Sequence, residues 1–254
     1  MGDSIRFDDA VEYYDRTRAL PPDVQDAMVE RVSAELRERG RVLEIGAGTG
    51  RIGLPLREAG VDVFGLDLSL PMLQRLLAKA DGAAPVVQAD ATRLPFSDAS
   101  FGAAYAVHVL HLIPQWREAV RELVRVVRPG GTILVSQGWW GVVAFVEVVE
   151  AFAGAAGMEL RHVGLNEEAE LDEALADASP RELLRVEGTQ KQTLREMVDR
   201  LRAGLYSFTW SVDQAARDRG AEAATAVAEE RYGSLDELRD MPQEMYWRAY
   251  DLPG

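Results

Sequence analysis

Val42-Leu43-Glu44-Ile45-Gly46-Ala47-Gly48-Thr49-Gly50-Arg51 is the stretch that decides the fold. Four largely apolar residues read as a buried strand, three alternating glycines follow, and a helix is expected from Arg51. A strand that turns into a helix through backbone without Cβ atoms lets a ligand rest on the main chain. The plain alternative is a tight turn that holds nothing.

On the N-terminal side, Pro21-Pro22-Asp23 starts a helix, since proline's missing N–H would have had no partner in the first turn. Val24, Met28, Val32 and Leu36 recur at helical spacing, and Gly40 terminates it. On the C-terminal side, strand-length apolar runs fall at 61–66, 84–88, 101–106 and 131–136, with helices expected near 51–59, 70–80 and 115–128. The last of these helices stops at Pro129-Gly130-Gly131. Alternating strands and helices build a parallel sheet. Beyond Ser136 the rhythm breaks: helices over 142–155 and 166–178 come before any further strand and read as an inserted cap. A strand at 181–188, helices at 193–205 and 213–232 and a final strand at 245–252 complete the chain.

Composition narrows the partners. With 42 Asp+Glu against 28 Lys+Arg over 254 residues, the formal charge of −14 repels a polyphosphate, and no basic stripe offsets it, so nucleic acid is not expected. Cysteine is absent, which excludes disulfides and thiolate zinc sites. The first residues carry acids where a secretory signal carries bases, and no apolar run reaches membrane-spanning length, so a cytoplasmic protein without membrane insertion is expected.

Candidate site residues follow the strand ends. Glu44 places a carboxylate beside the loop, unfavourable to a pyrophosphate and favourable to a ligand bearing ammonium and sulfonium charges. That weighs against the rival reading of Gly48-Thr49-Gly50-Arg51-Ile52-Gly53 as a dinucleotide loop, as does its register: Gly46 ends the strand and Gly53 falls inside the helix. Asp67, after the second strand, is placed to accept from ribose hydroxyls, or else to cap the next helix. Asp90, after the third, is placed for an adenine amino group, with the Ala91 amide for a ring nitrogen. The fourth strand runs out through Val107-His108-Val109-Leu110-His111. His108 and His111, three apart, share a side if the segment is helical, and imidazole titrates near neutrality, so one of them is a candidate base. The alternative is that His108 supports the ligand through its backbone and His111 packs under the cap. A metal site is not expected, because no third ligand is apparent near this pair. Trp139 and Trp140, with Phe145, Phe152, Tyr206, Phe208 and Trp210, either line an apolar pocket or form the cap's own core.

Together these residues resemble the class I S-adenosylmethionine-dependent methyltransferases, in particular a small-molecule group that includes quinone-biosynthesis-like members. The segment 42–50 is similar to that family's first motif, Gly65-Leu66-Asp67 to its second, Gln88-Ala89-Asp90-Ala91 to its third, and 123–131 to its late helix-to-strand motif. The resemblance implies a Rossmann-like α/β fold: a seven-stranded, mostly parallel sheet, its last strand antiparallel, with helices on both faces and a helical cap inserted after strand five. It implies a nucleotide-binding core with an N-terminal flap helix over 1–137, a cap and substrate region over 138–205, and a C-terminal helix and strand over 206–254 completing the core. It further implies S-adenosylmethionine as cofactor and a small-molecule acceptor. Gly46, Ala47, Gly48 and Gly50 would hold the methionine portion, Asp67 the ribose, Leu68 one adenine face and Asp90 its amino group. Val107 would line the same cofactor site, and Tyr14 and Arg18 would close over it. The remaining readings are an NAD-dependent oxidoreductase and a non-catalytic nucleotide-binding protein.

Overall fold

The computed structural model describes residues 20–140 and 142–254, and the side chains of all but 137–143 among them. The chain divides into two compact units. The first takes the chain up to Gln137, Val163–Val186 and Met245–Gly254; the second takes Gly138–His162 and Glu187–Glu244.

The first unit opens with α1 (Pro22–Leu36), whose Val24, Met28, Val32 and Leu36 are all buried. It continues with β1 (Val42–Ile45), α2 (Gly53–Glu58), β2 (Val63–Asp67), α3 (Leu70–Lys79), β3 (Val86–Gln88), β4 (Phe101–Val107), α4 (Trp116–Val126) and β5 (Val127–Trp140). The remaining elements are α5 (Val146–Ala156), α6 (Glu168–Ala174), β6 (Ser179–Gln192), α7 (Leu194–Arg202), α8 (Gln214–Tyr232) and β7 (Arg239–Asp251). The seven strands lie in the order β3-β2-β1-β4-β5-β7-β6. β1 pairs in parallel with β2 and β4, β2 with β3, and β4 with β5. β7 runs the other way: Gly130 N donates to Pro253 O and Leu252 N to Gly131 O, each at 2.9 Å, while Ser136 Oγ donates to Tyr246 O at 3.1 Å. The order reverses between β1 and β4, which puts a crevice at their carboxyl ends, where open α/β sheets bind ligands.

One sheet face packs Leu43, Ile45, Ala104, Ala106, Ile133 and Val135 against Trp116, Val120 and Leu123 of α4. The expected stop of that helix at Pro129-Gly130-Gly131 is not what forms. α4 ends at Val126 and β5 begins at Val127, with an irregularity in its pairing to β4 between Phe101 and Ala103. Glycine makes this possible, since Gly130 has φ +70° and a Cβ on Gly131 would meet Gly102 O at 2.8 Å.

The unit boundaries also differ from the expected 138–205 cap and 206–254 completion of the core. Residues 163–186 group with the sheet because Leu165, Leu171 and Leu175 pack into its core, and Tyr250 Oη donates to Asp172 Oδ1 at 2.8 Å. Residues 206–244 group with the helical unit because α8 packs its Ala216, Ala221, Ala224 and Ala228 with Phe145, Val148 and Phe152. A Cβ on Gly220 would sit 2.7 Å from the Phe152 ring, so small side chains on α8 let α5 come close. Phe145 and Phe152 are therefore core residues of the second unit, and Phe145 meets Tyr232 edge-on at 5.0 Å. Tyr206 and Phe208 stack at 5.5 Å, half-buried on the same unit.

Candidate active site

A cavity opens in the crevice of the sheet. It is lined by Gly46 and Gly48 after β1, Leu66, Asp67 and Leu68 at β2, Ala89, Asp90 and Ala91 after β3, and Val107, His108 and Val109 at β4, with Met72, Leu112 and Ile113 beside them. Of the residues expected to hold a nucleoside, the structure brings together Gly46, Gly48, Asp67, Leu68, Asp90, Ala91 and Val107. Ala47 and Gly50 shape the loop from behind: Ala47 N donates to Leu66 O and Gly50 N to Ala47 O, each at 2.9 Å. Tyr14 and Arg18 lie outside the described residues, and so do the side chains of Trp139 and Trp140.

The loop's glycines answer first to backbone geometry. Gly46, Gly48 and Gly50 have φ of +70°, +55° and +80°, where a Cβ is strained. A Cβ on Gly46 would also meet the Val109 side chain at 2.6 Å. Asp67 fastens this loop to β2: its Oδ2 accepts from Gly48 N at 2.7 Å and its Oδ1 from Ser69 N at 2.8 Å. Ser69, not Asp67, caps α3, its Oγ accepting from Met72 N at 3.3 Å. Two amides use part of a carboxylate's acceptor capacity of about four. Asp90 is held by Thr92, whose amide and hydroxyl both donate to Oδ1, at 2.9 and 2.8 Å.

Glu44 differs from its expectation. Its side chain is 3% exposed and outside the cavity lining, in register with Tyr105 on the neighbouring strand. Burial pushes its carboxyl up to about 8; the Tyr105 hydroxyl and the Arg51 charge pull it back, and Asp67 adds to the rise. Near neutral pH this carboxyl is mostly protonated, so it is not the fixed negative charge that the sequence suggests. Gly53, the odd glycine of the dinucleotide-like pattern, has its reason here, because a Cβ on it would fall on the Glu44 carboxyl and 3.4 Å from the Tyr105 hydroxyl. Gly53→Ala is expected to destabilise the fold by about 1–3 kcal/mol through overpacking, read as a shift in the urea midpoint, with a smaller loss in a Glu44→Ala background.

The two histidines do not share a helix face. His108 has φ +49°, a left-handed conformation that bends the chain before the short 3-10 turn Leu110–Leu112. A non-glycine residue in this region is uncommon, and such outliers cluster at ligand sites. His108 lines the cavity and His111 is not among its lining residues. Among the described residues no group of three His, Asp or Glu side chains is placed to hold a metal ion, and no helix is long and apolar enough to cross a membrane.

What sequence reasoning missed is the apolar part of the lining: Met72, Leu112 and Ile113 sit in helix and turn patterns that read as ordinary core. Residues 43–135 match a family model described as a methyltransferase domain. A demethylmenaquinone methyltransferase from Streptomyces avermitilis is 36% identical over 134 residues, which is 52% of this chain and 58% of that protein. The chain thus spans less than two thirds of that curated relative's length. Among solved structures, the YcgJ protein of Bacillus subtilis superposes with a TM-score of 0.63 at 19% identity, over 91% of this chain and 99% of that one. A Haemonchus contortus phosphoethanolamine N-methyltransferase, solved with phosphomonomethylethanolamine and S-adenosylhomocysteine, gives 0.57 at 18% identity, over 98% of this chain and 59% of that one. At these identities the structures establish a common fold.

Proposed function

We propose that this chain, whose residues 43–135 match a methyltransferase domain, is a class I S-adenosylmethionine-dependent methyltransferase that transfers a methyl group to a small, partly apolar acceptor at oxygen or carbon. The observation that carries the reading is the cavity itself, where bare backbone at Gly46 and Gly48, two acceptor carboxylates at Asp67 and Asp90, and apolar walls converge on one sheet edge. That set fits an adenosine: Asp67 for the ribose hydroxyls, Asp90 Oδ2 for the adenine amino group, the Ala91 amide for a ring nitrogen, and Leu68 for a ring face. The likeness to a demethylmenaquinone methyltransferase supports a small apolar acceptor.

The donor, when bound, supplies a methyl group on a sulfonium, an excellent leaving group for in-line displacement. The protein's work is then chiefly to position donor and acceptor and to exclude water. Where the acceptor is a hydroxyl, an imidazole can take its proton, and of His108 and His111 the first is the one that lines the cavity. Trp139 and Trp140 are proposed to line the acceptor's side.

Thermal unfolding of the purified protein tests the reading. S-adenosylmethionine and S-adenosylhomocysteine, each at about 100 times its dissociation constant, are expected to stabilise by about 2.7 kcal/mol, while NAD leaves the midpoint in place. Stabilisation by NAD alone would replace this reading with the oxidoreductase one.

A further inference from the structure

The wall of the cavity is held by residues far from any motif. After β4 the chain makes a short turn from Val109 to Ile113, and Val109, Leu112 and Ile113 face the cavity. Within the turn, Leu112 N donates to Val109 O at 2.9 Å and Ile113 N to Leu110 O at 3.3 Å. Its carbonyls are also engaged from about fifty residues later in the chain: Gly164 N donates to His111 O at 3.0 Å, and Leu165 N to Leu110 O at 3.2 Å. This pair is the first piece of the sheet unit that the chain makes on returning from the helical unit.

Gly164 is a glycine for want of space. Its φ is not among the positive ones, yet a Cβ there would clash with the carbonyl oxygens of Leu110 and Ile113 and lie 2.9 Å from the His111 carbonyl carbon. These are backbone atoms, which cannot rotate aside as a side chain can. The next residue, Leu165, is 2% exposed and packs in the same core as Leu110, Ile113 and Trp116. Beyond it the segment is tied down again: Asn166 Nδ2 donates to Gly164 O at 2.7 Å, and Glu167 and Glu170 form the capping box of α6. The segment is thus anchored on the C-terminal side of the two bonds it makes to the turn.

We infer that Gly164 and Leu165 are positioning residues for the donor site, a strap that fixes how far the Val109, Leu112 and Ile113 wall stands from the bound nucleoside. The inference rests on the proposed function, since it takes the cavity to be the donor's. A side chain at 164 displaces the turn rather than the strap alone, because the opposing atoms are the turn's own carbonyls. Displacement of the wall degrades the fit of a rigid ligand whose other contacts, at Asp67 and Asp90, stay in place.

The test compares Gly164→Ala with Gly157→Ala, a control at the C-cap of α5, where φ is +72° and nothing lies within 4 Å of a new Cβ. Calorimetric titration with S-adenosylhomocysteine, well below both melting points, is expected to give a dissociation constant raised about tenfold or more for Gly164→Ala and unchanged for the control. A merely structural glycine would lower the melting point and leave the constant alone, and that result overturns the strap. Hydrogen exchange of the wild type keeps the question open to decision if Gly164→Ala does not fold. The amides of Gly164 and Leu165 are expected to slow further when S-adenosylhomocysteine binds, and equal rates with and without it overturn the inference. Wild-type protein that binds no adenosyl ligand sinks the function and the strap together, whereas equal binding by wild type and Gly164→Ala sinks the strap alone.

Discussion

Between about pH 5 and 8 the wild type is expected to lose stability that a Glu44→Gln variant does not lose. Glu44 is buried beside Tyr105, with Arg51 and Asp67 the other charged groups acting on it, and burial raises its carboxyl from 4.5 to about 8. The folded protein therefore holds this proton more tightly than the unfolded chain does. The contribution is complete below about pH 4.5, declines as the unfolded chain ionises, and is gone above about 8. A displacement of that size corresponds to on the order of 5 kcal/mol. Glutamine keeps the shape and cannot titrate, so the variant should be the more stable protein at pH 9. Carboxylates held down by arginine partners, such as Glu122 beside Arg125 and Asp251 beside Arg181, have the opposite sign. Their stability is present above the ordinary carboxylate range and is lost only as pH falls through their lowered values, outside this window. Urea midpoints at pH 5, 7 and 9 for both proteins decide the matter, and parallel curves would mean that Glu44 is solvated.

Asp67→Ala is expected to reduce affinity for S-adenosylhomocysteine by about 100-fold or more. Three contributions meet in this carboxylate. It is placed for the ribose hydroxyls, a charge-assisted contact worth about 1.5–3 kcal/mol. It also holds Gly48 N at 2.7 Å and Ser69 N at 2.8 Å, so its loss releases the glycine loop and leaves two amides seeking new acceptors. Even one further such bond brings the total to about 3–6 kcal/mol, hence the two or more decades. Asp67→Asn, which keeps an acceptor oxygen for one amide and loses the charge, should fall between. Calorimetry on the folded variants reads the effect directly. Affinity within threefold of wild type in Asp67→Ala would remove Asp67 from the nucleoside site.

The first half of the architecture is legible because each element carries its own period. Val24, Met28, Val32 and Leu36 announce a helix face, and 42–45, 61–66 and 101–106 are too short and too apolar for anything but buried strands. The strand-end acids were legible for a related reason: parallel strands present their carboxyl ends on one edge, so Asp67 and Asp90 had to be neighbours. Glu44 shows the limit. That it precedes the glycines is plain in the sequence, but whether its carboxyl is charged depends on burial, on Tyr105 across the strand pair and on Arg51 and Asp67, which only the tertiary structure brings together. The segment 163–186 shows another limit, since Leu165, Leu171 and Leu175 have the same spacing whether they pack on the sheet or on a cap. The left-handed turn at His108 broke the helical spacing that made two histidines look like a pair.

The sheet's strand order has a kinetic side. β7 is the last strand in sequence, yet it lies between β5 and β6. During synthesis β5 and β6 have no permanent neighbour on their facing edges until residues 239–251 leave the ribosome, so two unpaired strand edges wait for one latecomer. Nascent chains stalled before that point should engage holdase chaperones, and release should coincide with β7 sliding into its slot.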